Sequence, residues 1–112
     1  MTNTEPVTLI NVFEVTQDEL DPFLADWRLR AEFMSRQPGC RSFRLHRALA
    51  PDSKFQLVNV AEWDSADALQ AAVAQPEFQA GIRHAAETFT AVAHPALYRV
   101  VEEFKNDSAP RA

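Results

Sequence analysis

FQLVNVAEW, Phe55 to Trp63, is the stretch from which the rest of this chain is read. Its aromatic and β-branched residues predict a strand, and alternate residues of a strand share a face. Phe55, Leu57, Asn59, Ala61 and Trp63 then project one way, and Gln56, Val58, Val60 and Glu62 the other. An amide thus sits on a largely apolar face. Burying an amide without partners costs roughly 2 to 7 kcal/mol on transfer scales, so Asn59 has either an internal hydrogen-bond partner or a cavity to serve.

Upstream, VTLINVFEV (Val7 to Val15) reads as a second strand. Leu9, Asn11 and Phe13 fall on one parity and Ile10 and Val12 on the other, so both faces are apolar and the strand belongs inside a sheet. Thr16 to Glu19 has the spacing of a capping box, and the helix it opens runs to about Arg36 with Pro22 tolerated near its start. Leu20, Leu24, Trp27, Ala31 and Met34 form its buried stripe, and Gln37-Pro38-Gly39 stops it. Cys40 to Ala48 is a half-polar strand expected near a sheet edge, joined to FQLVNVAEW through the turn residues Leu49 to Lys54. Beyond Trp63, Asp64 or Ser65 caps a short helix with Leu69, Ala72 and Val73 on its apolar side. Pro76 starts a second piece, Glu77 to Thr90, that aligns Phe78, Ile82, Ala85 and Phe89. Ala93-His94-Pro95 is expected to be a connection, and Ala96 to Phe104 the last strand.

The order β-α-β-β-α-β is the ferredoxin-like arrangement, an α+β fold with a four-stranded antiparallel sheet. Its one domain spans residues 5–104, with 105–112 a polar tail. Helices on one face leave the other bare, exposing Ile10, Val12, Val58 and Val60. That is more contiguous apolar surface than a soluble monomer usually shows, and a second copy in a two-fold homodimer is the simplest cover.

Composition narrows the function. The 112 residues are 46% hydrophobic and 24% charged, with no apolar run near the roughly 20 residues that cross a bilayer. No membrane partner is expected. MTNTEP lacks the charged start and apolar core of a secretory signal, so the expected location is cytoplasmic. A single cysteine, Cys40, excludes an intrachain disulfide and fits a reducing compartment. The net charge of −5 offers nothing to a phosphate backbone, which sets nucleic acid aside. His46, His84 and His94 lack metal-ligand spacing, and a chain with two glycines has no phosphate-binding loop. No metal and no cofactor are expected.

What remains is Asn59-x-x-x-Trp63, with Asn11 on a strand expected to lie alongside. Two amides and an indole N–H on one face can hold a carbonyl or phenolate oxygen in an apolar pocket. The alternative is that the two asparagines pair with each other or with backbone and that Trp63 is core. Arg83 reads either as solvated or as lying over apolar surface.

The run from VTLINVFEV through VNVAEW and PEFQAGIRH to the last strand resembles the antibiotic biosynthesis monooxygenase family, small dimeric α+β barrels that include cofactor-independent anthrone oxygenases. The resemblance spans residues 5–104, and NVAEW is its most specific part. It implies catalytic roles for Asn59, Trp63 and Arg83 and a substrate contact for Asn11. Trp27, His46 and His84 are further candidates for substrate contact, either histidine being a conceivable general base. It implies oxidation of an anthrone, phenol or quinol by O2 to a quinone, without a cofactor. Two alternatives stand beside it, a non-catalytic barrel that binds a small hydrophobic molecule and a haem-degrading monooxygenase. The haem-degrading branch uses a first-strand Asn with a Trp and a His ten residues apart on the second helical region. Asn11 fits, but those two positions fall at Ala72 and Ile82, a poor match.

Overall fold

The computed structural model describes residues 5–107 and has the expected α+β architecture. The elements are β1 (Val7–Glu14), α1 (Leu20–Ser35), β2 (Cys40–Arg47), β3 (Leu57–Trp63), α2 (Ala66–Val73), α3 (Pro76–Thr88) and β4 (Val92–Tyr98). The sheet order is β2-β3-β1-β4, antiparallel throughout, the ferredoxin-like topology. The two strands that are apolar on both faces, β1 and β3, are the central ones. No helix among the described residues is long and apolar enough to cross a membrane. The N-terminal residues 1–4 and the end of the expected tail, 108–112, lie outside the described residues.

Strand parity sets the layers. Leu57, Ala61 and Trp63 of β3 are buried beneath the helices, as is Phe13 of β1. Phe13 and Leu57 pack with Leu20 and Phe23 of α1, while Ala61 and Trp63 pack with Leu69 and Ala72 of α2. On the opposite face, Val12 pairs with Val58 and Ile10 with Val60, all half-buried with no helix over them. Gly39 turns the chain from α1 into β2 at φ +90°, and a Cβ there would meet Ala68 Cβ at 2.5 Å. Glycine alone suits that turn.

Three local expectations are corrected, and a choice between two caps is resolved. Thr16 and Glu19 do not form a capping box; a 3-10 turn, Gln17–Glu19, precedes α1. The Glu19 carboxylate instead accepts from the Thr90 N–H at 3.0 Å and hydroxyl at 2.8 Å, tying the exit of α3 to the start of α1. Of the two caps expected for α2, Ser65 is the one used, its hydroxyl accepting from Ala68 N–H at 3.0 Å.

The second correction is at Phe55 and Gln56, which precede the strand and break its alternation. Gln56 is buried, and its amide donates to the carbonyls of Ala50, Pro51 and Ser53 while its Oε1 accepts from Gln17 Nε2. Phe55 packs edge-on to the His94 ring, centroids 5.7 Å apart.

The third is the last strand, which is Val92–Tyr98 rather than Ala96 to Phe104, so that Ala93, His94 and Pro95 lie within it. A proline lacks an N–H but is tolerated on an edge strand. Residues 99–107 carry no regular element beyond a turn, and they expose Val100, Val101 and Phe104.

Candidate active site

Asn11 and Asn59 are direct cross-strand partners. Leu45 faces Asn59 from β2 and Pro95 faces Asn11 from β4, so the rung across the sheet reads Leu45-Asn59-Asn11-Pro95. Both amides share the helix-facing parity of Leu57 and Ala61. Their lateral neighbours, a leucine and a proline ring, have no side-chain polar group to offer. The Oδ1 atoms of both residues are buried without a hydrogen-bond partner among the described residues. A buried acceptor left in that state costs about 1 to 3 kcal/mol, so the pairing of the two amides with each other or with backbone is not what holds them.

They face a cavity of about 240 Å³ between the sheet and helices α1 and α3. Its size is slightly below the roughly 300 to 1,000 Å³ usual for small-molecule sites. The walls are mostly hydrocarbon and aromatic, with Phe13, Phe43, Trp27, Met34, Phe78 and Ile82 among the lining. Trp63, 2% exposed, lines the cavity from the last position of β3. Trp27 stands edge-on to Phe43 at 6.0 Å and 84°, which fixes the plane of both rings.

One charged residue lines the cavity among those described, and it is Arg30 of α1. Its side chain is 10% exposed, its Nη1 is ion-paired to Asp26 Oδ2 one turn earlier, and its guanidinium carbon lies 5.8 Å from the Phe23 ring centroid. The other oxygen of Asp26 is 3.6 Å from His84 Nε2.

Of the expected site residues, the structure brings Asn11, Asn59, Trp63 and Trp27 together on this cavity and leaves three outside. Arg83 is exposed on α3 and does not line it. It follows Ile82, which does, and one residue along a helix is a turn of about 100° away from the wall. His84 is likewise exposed and approaches Asp26 rather than the cavity. His46 stands on the bare face of the sheet, across from Val58, with Nδ1 3.2 Å from the Val58 carbonyl oxygen.

Arg30 is the functional candidate that sequence reasoning passed over. Its available signal was the Asp26-x-x-x-Arg30 spacing, with Arg30 three residues beyond Trp27 on the same helical face. The described residues contain no group of three His, Cys, Asp or Glu side chains able to hold a metal ion.

The fold that carries this cavity has known counterparts. The profile of the antibiotic biosynthesis monooxygenase family matches residues 6–84, and the chain belongs to that family. A candidate monooxygenase from Shewanella loihica is 35% identical, with 88% of this chain and 97% of that one covered and a TM-score of 0.72. SnoaB, a cofactor-independent oxygenase from Streptomyces nogalater, is 27% identical over 91% of this chain and 99% of its own, with a TM-score of 0.73. Rv0793 of Mycobacterium tuberculosis, at 21% identity, shares the fold over 90% of this chain and all of its own, with a TM-score of 0.73. No functionally curated protein matches the sequence at a significant level.

Proposed function

We propose that the chain is a cofactor-independent monooxygenase that oxidises an anthrone, phenol or quinol with O2 to a quinone. The observation that carries the reading is the pair of unpartnered amide oxygens at the floor of an apolar cavity. Membership of the family and likeness to SnoaB, described as a cofactor-independent oxygenase, support the reaction class.

An anthrone loses a proton from its central methylene to give a delocalised carbanion, which passes one electron to O2. The resulting radical pair combines to a peroxide at that carbon. Cleavage of the O–O bond with loss of water leaves the quinone carbonyl, so one O2 is consumed and one water released per substrate. The substrate supplies all the electrons. The protein's part is to fix the ring between Trp27, Phe43 and Phe78 and to present hydrogen-bond groups where charge develops. The Asn11 and Asn59 amides serve the substrate's oxygen and ionisable hydroxyl. The Trp63 indole N–H serves the developing oxyanion.

The active form is a homodimer in a reducing, cytoplasmic compartment. The uncovered Ile10, Val12, Val58 and Val60 face and the exposed Val100, Val101 and Phe104 support a second copy as the missing layer.

Oxygen uptake tests the reading directly, using anthrones and hydroquinones without added flavin or metal. Uptake above the spontaneous rate is the expected result, with one O2 consumed per quinone formed, one of its oxygen atoms retained in the product and the other released as water rather than as hydrogen peroxide. A panel oxidised only at the spontaneous rate removes the enzyme reading for those compounds.

A further inference from the structure

Arg30 lies where a buried cation needs a reason. Its side chain is nine-tenths enclosed in a wall otherwise made of hydrocarbon and aromatic groups, and one nitrogen, Nη1, is occupied by Asp26. Asp26 is itself held from its other side, 3.6 Å from His84 Nε2. A guanidinium has a second donor edge, in which Nε–H and one Nη2–H point the same way and match the two oxygens of a carboxylate. That edge has no hydrogen-bond partner among the described residues.

A second observation comes from α3. Gly81 is the only glycine inside a helix among the described residues, where glycine costs about 1 kcal/mol against alanine. A Cβ at that position would meet the Arg30 stem at 3.2 Å from Cγ and 3.3 Å from Cδ. The gap in α3 is the space the arginine needs to lie between the helices.

We propose that Arg30, oriented by Asp26 and given room by Gly81, is the anion-binding residue of the cavity, and that the substrate carries a carboxylate which its free edge receives. The aromatic rings then span the cavity, with the reacting carbon and its oxygens over the asparagines and the acid group toward the α1 and α3 wall. The inference rests on reading this cavity as the substrate site and adds the substrate's charge to it.

Equilibrium binding of air-stable quinones tests it, because no turnover is needed. The probes are a dihydroxyanthraquinone with a ring carboxylate and its counterpart with a methyl in the same place, followed by quenching of Trp27 and Trp63 fluorescence. The wild-type chain binds the carboxylate about tenfold or more tightly than the methyl compound, the advantage of a charge-assisted hydrogen bond. Arg30→Met brings the two affinities within about twofold, chiefly by weakening the carboxylate. Gly81→Ala keeps every charge, raises helix propensity, and lowers the carboxylate preference at least about threefold while the methyl compound binds as before. This second variant decides the matter if Arg30→Met fails to fold. Equal wild-type affinities, no measurable binding of the carboxylate, or a preference that survives in the folded variants overturns the proposal. A chain that oxidises anthrones without the preference refutes only this inference, whereas a chain with the preference but no oxidation refutes only the oxygenase reading.

Discussion

An amide oxygen held without a donor inside an apolar wall is a standing cost of about 1 to 3 kcal/mol, and Asn11 and Asn59 each bear one. A fold selected for stability alone has no use for them. Asn59→Leu, close in size and without polar atoms, is therefore expected to stabilise the chain by about 1 kcal/mol, read as a melting-point rise of a few degrees. Turnover with an anthrone falls by at least about tenfold in the same variant. A loss of stability instead would mean that the amide is structurally satisfied. Trp63→Phe keeps a ring in the cavity and removes the N–H, and is expected to lower turnover about 10- to 100-fold with binding little changed. Cys40 gives a contrasting case at the same scale. Burial pushes its thiol up, away from the thiolate that reacts. Its folded-state pKa exceeds the unfolded one, so alkylation by iodoacetamide is slower in the native than in the denatured chain at pH 8 and accelerates as pH rises. Native alkylation as fast as in the denatured chain would contradict the burial.

At the scale of elements, Gln56 is the side chain on which the β2–β3 connection depends. Its Nε2 donates to three carbonyls of the 50–53 turn, at 3.1 Å, 3.2 Å and 2.7 Å. Gln56→Leu is expected to destabilise the chain by about 1 to 3 kcal/mol with the denaturant slope unchanged, measured by urea unfolding. A neutral result would show that water replaces the amide in the turn. Strand parity is a period of two, so the shared face of Asn11, Asn59 and Trp63 could be read from residue numbers. Helix α1 could not be read so simply, because hydrophobicity and burial disagree along it. Leu29 is 69% exposed while the side chain of Arg30 is 10% exposed. Only the packing of α1 against α3, through Gly81, explains that exchange. Strand β4 was misplaced because Pro95 reads as a breaker, and an edge position forgives it. Arg83 was assigned to the cavity by resemblance, yet its neighbour Ile82 takes the inward position.

At the scale of the whole molecule, the face of the sheet opposite the helices has no layer over it among the described residues. Strand β4 is exposed along its length, and Leu97 and Tyr98 are 42% and 52% accessible. Sedimentation velocity at micromolar concentration is expected to give a dimer. Val60→Asp, which places a charge at the middle of the bare face, is expected to convert it to a monomer. A monomeric wild-type chain would require another cover for Ile10, Val12, Val58 and Val60. Nothing in the individual strands reveals the bare face. It becomes visible only once the topology has placed all the helices on one side.

The rung on which Asn11 and Asn59 meet has a consequence for how such a protein can diversify. Both amides are located by backbone pairing, so a slip of one residue in either strand would turn its amide out of the cavity together with that strand's core side chains. Drift in the sheet is thus policed by folding itself. Trp27, Arg30, Phe78 and Ile82 are held by helices whose sequences can change without touching that pairing. In the proposed oxygenase, reaction chemistry and substrate choice would thus reside in different layers, and one could be inherited while the other is rewritten.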